Sequence, residues 1–182
     1  MRVLIPLAEG LEELEAVTLI DVLRRGGLEV VSAAIGAERA VHGSRGVTLL
    51  ADTLWADLGA RPFDALVLPG GGKGTENLAA DPRVIETVQA FNASGRLVAA
   101  ICAAPIVLAA AGVLAGRKAT CYPTCADELG DAYDPAAPVI ADGNIITSRG
   151  PGTAMLFALV LIRHLVGEET ARRVAEGLLA DF

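Results

Sequence analysis

Rings and histidines are scarce in this chain. Aromatic residues make up 4 % of its 182 positions, and the two histidines are His42 and His164. A core with few rings must be filled by Ala, Val, Leu and Ile, which suits tightly packed helices on a buried parallel sheet. Neither histidine follows a cysteine or has the spacing of a Cys-His-acid triad, so papain-like and amidotransferase-like chemistry has little support. Cys121 and Cys125 are separated only by Tyr-Pro-Thr, with no His or further Cys nearby. A zinc site is not expected there, and neither a metal nor a cofactor is expected elsewhere. They read as structural thiols, with resolution of an oxidised partner cysteine as the alternative.

Clustered basic charge is also missing. The formal net charge is −7, and the 15 Lys and Arg residues are scattered, so nucleic acid is not an expected partner. The apolar run after Arg2 stops at Glu9, which is too short for the core of an export signal. Three cysteines, an odd number, fit a reducing cytoplasm where thiols stay free. No repeat, low-complexity tract or linker interrupts the chain, so residues 1–182 are expected to form a single domain. At this length a domain buries roughly two-thirds of its extended surface.

One long apolar run does exist. Residues 97–116 carry no charge and are numerous enough to span a bilayer. They are rich in Ala and Gly, however, and Pro105 sits near the middle. RLVAAIC reads as a strand, and PIVLAAAGVLAG as a helix with Pro in its first turn. No membrane partner is expected.

The remaining pattern alternates strands and helices. Strands are expected at Arg2–Pro6, Glu29–Ile35, Val47–Leu50, Ala65–Leu68, Leu97–Ile101 and Lys118–Thr120. A hairpin over VIADGNIIT is expected to turn at Asp142-Gly143. Helices are expected at Leu11–Arg25, from Asp81-Pro82 onward with Asp81 as N-cap, after Pro105, and at about Thr153–Leu165 and Glu168–Leu179. A polar connection carries His42 and Arg45. The fold class is therefore α/β, a mostly parallel sheet with right-handed crossovers. Sites in such folds form beyond the carboxyl ends of the strands. Here those loops are PLAEG, LPGGGKG, AICAAP and TSRGPGT.

Cys102 stands in one of them, at a strand-to-helix turn with small neighbours. It resembles a nucleophile elbow with Cys in place of Ser, without the usual flanking glycines. A sulfur just before a helix start would be stabilised as thiolate by unpaired amides and the helix dipole. On position alone, an inert buried cysteine remains equally open. Glu15 lies in the apolar stripe of the first helix, with Leu11, Leu19 and Val22. Burial there would raise its pKa, leaving a neutral carboxyl able to donate a hydrogen bond to a thiolate and to shuttle a proton. The alternative is a stripe-edge Glu that reaches water. Glu9, Glu12 and Glu13 read as ordinary helix-start acids. Val17 and Ile20, on the outward side of that helix, suggest a second buried surface or single exposed apolar residues. PGGGKG lacks the ending of a phosphate loop; its amides suit an oxyanion, or the segment is simply a turn.

The ordered set EGLEELEA, DVLRRGG, SRGV, VLPGGGKG, AAICAAP and TSRGPGT resembles the ThiJ/PfpI superfamily. Within it, the likeness is to the parkinsonism-associated deglycase branch in a bacterial form, and it covers nearly the whole chain. The resemblance implies a flavodoxin-like three-layer sandwich and a homodimer packed through the first helix. It implies Cys102 as the reactive thiol, Glu15 as its protonated partner, and the Gly71 and Ala103 amides as oxyanion donors. Gly70, Tyr122 and Arg149 would line the site. The implied activity is cofactor-independent glyoxalase or protein deglycase chemistry on methylglyoxal-type α-oxoaldehydes or their adducts. A redox-sensing or holdase protein is the alternative. Two departures stand out. Ala103 replaces the His that follows the cysteine in family peptidases and many stress chaperones, and Tyr122 replaces a His of several close relatives.

Overall fold

The computed structural model describes residues 1–182. Its main sheet has seven strands, and a two-stranded hairpin stands apart from it. The chain runs β1 (Arg2–Leu7), α1 (Glu13–Arg25), β2 (Glu29–Ala34), the hairpin β3 (Ala40–His42) and β4 (Thr48–Leu50), and β5 (Thr53–Leu54). It continues through β6 (Ala65–Leu68), α2 (Gly72–Ala80), α3 (Pro82–Ala93), β7 (Leu97–Ile101) and α4 (Pro105–Ala110). The last elements are α5 (Ala126–Leu129), β8 (Val139–Asp142), β9 (Ile145–Ser148), α6 (Ala154–Val166) and α7 (Glu168–Leu178).

Strand order is β5-β2-β1-β6-β7-β9-β8, and only the β8–β9 pair is antiparallel. Alternate residues of the central strands enter opposite cores. Val3, Ile5, Val67, Ala99 and Ile101 join α1, α6 and α7, whereas Leu4, Leu66, Leu68, Val98 and Ala100 join α2, α3 and α4. This is the expected sandwich: strands buried on both faces read as continuous apolar runs because neither side meets water. No helix is long and apolar enough to cross a membrane.

Several local expectations need correction. PGGGKG is not only a turn, since α2 starts at Gly72, inside it. The helix after Pro105 ends at Ala110, and Gly112 follows with a φ of 73°. Residues 118–120 form no strand, only a bridge between Ala119 and Tyr133. The connection containing His42 includes β3, which pairs with β4 off the main sheet. In the last hairpin Asp142 pairs with Ile145, so the two turn residues are Gly143 and Asn144. Asp81 does cap α3, accepting from the Arg83 N–H at 2.9 Å.

Candidate active site

Sheet order reverses between β1 and β6, and the loops leaving β1, β6, β7 and β9 meet beyond their carboxyl ends. Backbone hydrogen bonds lock them together. Glu12 N–H donates to Gly70 O at 2.9 Å, Cys102 N–H to Ser148 O at 2.9 Å, and Tyr122 N–H to Cys102 O at 2.8 Å. Cys102 occupies the left-handed region, with φ 64°; Leu179 is the only other non-glycine residue there. For an L-residue that conformation costs about 1–3 kcal/mol, and it persists because the surrounding bonds over-determine it. The turn presents a thiol that is 9 % exposed at the wall of a cleft of about 410 Å³.

Glu15 is fully buried behind the thiol. Its Oε2 accepts from Gly70 N–H at 2.8 Å, while Oε1 has no hydrogen-bond partner. Burial pushes the carboxyl up to about 7, against the lowering effects of the Gly70 amide and the Cys102 thiol. The carboxyl is therefore protonated in acid, but it ionises well before the thiol does, so the expected neutral donor beside a thiolate is not the arrangement at neutral pH. Its approach requires glycine at 70: a Cβ there would stand 2.7 Å from Cys102 Cβ and 2.8 Å from Glu15 Oε2. At Gly71, where φ is 93°, a Cβ would lie 2.5 Å from both Glu12 N and Gly10 O. Small residues here let backbone come within reach of the sulfur.

The thiol itself differs from the helix-start expectation. Burial pushes Cys102 up to about 12, the adjacent Glu15 carboxyl adds to this through its charge, and the Gly71 and Ala103 amides act the other way. The helix beyond it is only six residues long, so its dipole is weak. Thiol and carboxyl titrate as a pair. Above pH 7 the shared proton rests on sulfur and the negative charge on Glu15.

The cleft is lined by Glu12, Ser44, Arg45, Gly71, Gly72, Cys102, Ala103, Tyr122, Thr124, Cys125 and Pro151. Of the residues expected from sequence, Cys102, Gly71, Ala103 and Tyr122 are brought together here, with Glu15 behind them. Gly70 is not a lining residue; it is buried between Cys102 and Glu15. Arg149 is displaced too. It lines a neighbouring groove of about 300 Å³ that shares Tyr122 and Pro151 with the cleft. Val17 lies on the far side of α1, 47 % exposed, and Ile20 lines a groove with it, Leu49 and Leu50. His42 pairs with Glu9 at 3.3 Å and is not among the cleft residues.

Sequence reading missed Glu13. Far from being an ordinary surface acid, it is 5 % exposed and holds the loop that carries Arg45. Its Oε1 accepts from Arg45 N–H at 2.6 Å and Val47 N–H at 3.1 Å, and its Oε2 from the Ser44 hydroxyl at 3.3 Å. A Cβ at Gly43 would overlap this carboxyl. Burial alone would raise its pKa, but its own backbone amide, the Val47 and Arg45 amides and the Ser44 hydroxyl bring it below the usual value. The only sequence signal was the glycine and serine of HGSR, and nothing in it pointed to Glu13.

Comparison with known proteins agrees with this architecture. Residues 1–164 match the model of the DJ-1/PfpI family. Protein dj-1beta of Drosophila melanogaster is 42 % identical over 181 residues, covering 98 % of this chain and 97 % of the relative. The glutathione-independent glyoxalase DJR-1.2 of Caenorhabditis elegans is 38 % identical over 173 residues, covering 93 % and 91 %. The structure of oxidized Toxoplasma gondii DJ-1 superposes with a TM-score of 0.96 at 38 % identity, covering 100 % of this chain and 99 % of that one. With the fold, the elbow cysteine and these matches in agreement, the chain belongs to the DJ-1/PfpI family.

Proposed function

We propose that the protein is a cofactor-independent glyoxalase, acting on methylglyoxal-type α-oxoaldehydes and, through the same chemistry, on their early adducts. The observation that carries this reading is the buried Glu15–Cys102 pair, in which a carboxyl with a pKa of about 7 sits against a thiol that two backbone amides also face. The name of the C. elegans relative supports it. A general acid–base group works best with a pKa near the operating pH, and Glu15 has one.

The steps balance without an external oxidant. Glu15 carboxylate takes the Cys102 proton as sulfur bonds to the aldehyde carbon. The resulting oxyanion meets the Gly71 and Ala103 amides and receives that proton, giving a hemithioacetal. The freed carboxylate then removes the hydrogen from the former aldehyde carbon and returns it to the adjacent carbon. Meanwhile the hydroxyl proton passes from the former aldehyde oxygen to the neighbouring oxygen through the enediol. The product is a thioester of a 2-hydroxy acid. Water cleaves it to the hydroxy acid and restores the thiol. Methylglyoxal plus water thus becomes lactate. Tyr122 forms a wall of the cleft, and Arg45 offers a cation at its mouth.

Lactate formed from methylglyoxal by the wild type and by Cys102→Ser tests this. Turnover in the wild type that is lost in the variant is expected; equal rates would defeat it. We also propose a homodimer through the outward face of α1, because Leu14, Val17, Val47 and Leu50 are all exposed large apolar residues. Sedimentation should give twice the chain mass of 18.7 kDa, and Ile20→Asp should shift the protein toward monomer.

A further inference from the structure

The reaction above uses one thiol, yet two line the cleft. Cys125 shares the cavity wall with Cys102, Tyr122, Thr124 and Pro151. Backbone hydrogen bonds link the two cysteines through a single residue: Tyr122 N–H donates to Cys102 O at 2.8 Å, and Cys125 N–H donates to Tyr122 O at 2.8 Å. Cys125 ends a three-residue 3-10 turn, Pro123–Cys125, and is half-buried, whereas Tyr122, Pro123 and Thr124 are exposed. The third thiol, Cys121, is fully buried in the core on the α2–α4 side and has no wall in the cleft. A small solute that reaches Cys102 therefore reaches Cys125 and not Cys121.

From this shared cleft we infer that Cys125 is a resolving thiol for Cys102, converting a sulfenic acid formed there by a hydroperoxide into an intramolecular disulfide. In the first step the Cys102 sulfur attacks the hydroperoxide. The O–O bond breaks, sulfur gains one oxygen and is oxidised by two electrons, and the alcohol, or water from hydrogen peroxide, leaves. In the second step Cys125 sulfur attacks Cys102 sulfur, the S–O bond breaks, and the hydroxyl departs as water with the Cys125 proton. The disulfide blocks a second peroxide, which would otherwise take Cys102 to sulfinate. It also leaves a state that cellular thiols can reverse.

A disulfide requires Cα atoms about 4.4–6.8 Å apart, so residues 123–125 must swing toward Cys102 about Tyr122, whose N–H stays bonded to Cys102 O. That segment suits the movement. It is a short exposed turn, and the four-residue α5 that follows adds little cooperative stability. Cys125 fits the role better than a packing role alone, because packing would not need its open side on the cleft.

The inference rests on Cys102 being the reactive thiol of the proposed function, and its test separates the two. Wild type, Cys125→Ser and Cys121→Ala are treated with two equivalents of hydrogen peroxide per chain, the amount that sulfinate on one thiol consumes. Free thiols are then blocked, and peptides are mapped by mass without reduction. Wild type and Cys121→Ala should yield a Cys102–Cys125 crosslinked peptide lighter by two hydrogens. Cys125→Ser should lose the crosslink and carry sulfinate on Cys102. Sulfinate on Cys102 in the wild type, at the same peroxide dose as in Cys125→Ser and without a crosslink, overturns the role of Cys125 alone. So does a crosslink that joins Cys121 to Cys125. Cys102 left unmodified in all three proteins overturns this inference and the reactive-thiol reading together.

Discussion

Two buried carboxylates stand two residues apart on α1, and they behave oppositely. Glu13 is covered by a single loop near the surface and accepts three hydrogen bonds from residues 44–47. Glu15 lies deeper, accepts one from Gly70, and keeps one oxygen without a partner. The first titrates below the usual carboxylate value and the second near 7. Burial opposes ionisation in both, so donors decide the sign. The fully donated carboxylate is a clamp that holds a loop. The under-donated one has a proton to exchange, and the thiol is its partner.

Removing the charge at Glu15 should have the largest effect. Glu15→Gln keeps the volume but cannot move a proton, so lactate formation should fall by ~10²–10⁴-fold. The same change removes a negative charge that holds the thiol up, so the alkylation profile of Cys102 should move to lower pH. A profile that stays in place would break the pairing of the two groups.

Stability should report the opposite signs. Glu15 has a folded pKa of about 7, above the reference value of 4.5, so the native state binds more protons between these limits. Its contribution is intact below pH 4.5 and is lost as pH rises through 7, a swing of about 3 kcal/mol. Glu15→Gln removes that swing, so its stability relative to wild type should improve from pH 4 to pH 8 in urea melts. A constant difference would show that Glu15 does not titrate between those limits.

Glu13 should show the mirror image with a smaller amplitude. Glu13→Ala strips three donors of their acceptor and should cost about 1–3 kcal/mol at neutral pH. Its folded pKa is depressed, so that contribution is present above the unfolded value and fades as pH falls through the folded one. The gap between variant and wild type should therefore close in acid. Ser44→Ala removes one donor shared between Glu12 and Glu13, and should cost only ~0.5–1 kcal/mol. An equal loss in Ser44→Ala and Glu13→Ala would show that the backbone amides of Arg45 and Val47 contribute nothing.

The pair also shows what a sequence can reveal about a site. Glu15 was legible because its neighbours at helical spacing, Leu11, Leu19 and Val22, are all buried, and periodicity alone placed it among them. Glu13 was not legible, because its donors come from residues 31 to 34 positions away and no local pattern marks them. The start of α2 was hidden for a different reason: Gly72 and Gly74 are poor helix formers, and tertiary packing against the loop after β1 overrides that preference.

Apolar runs and turn residues determined the central strands and the long helices α1, α3, α6 and α7, and the stripe on α1 determined which face Glu15 lies on, since each depends on neighbours within a few residues. Chain order also set which loops leave the sheet at one end. Only the tertiary structure decided that Arg45, Thr124 and Cys125 share the cleft with Cys102, and that Arg149 faces the next groove. It likewise decided the protonation of the thiol. Desolvation and the Glu15 charge act through space on Cys102, across a sequence separation that no short window contains.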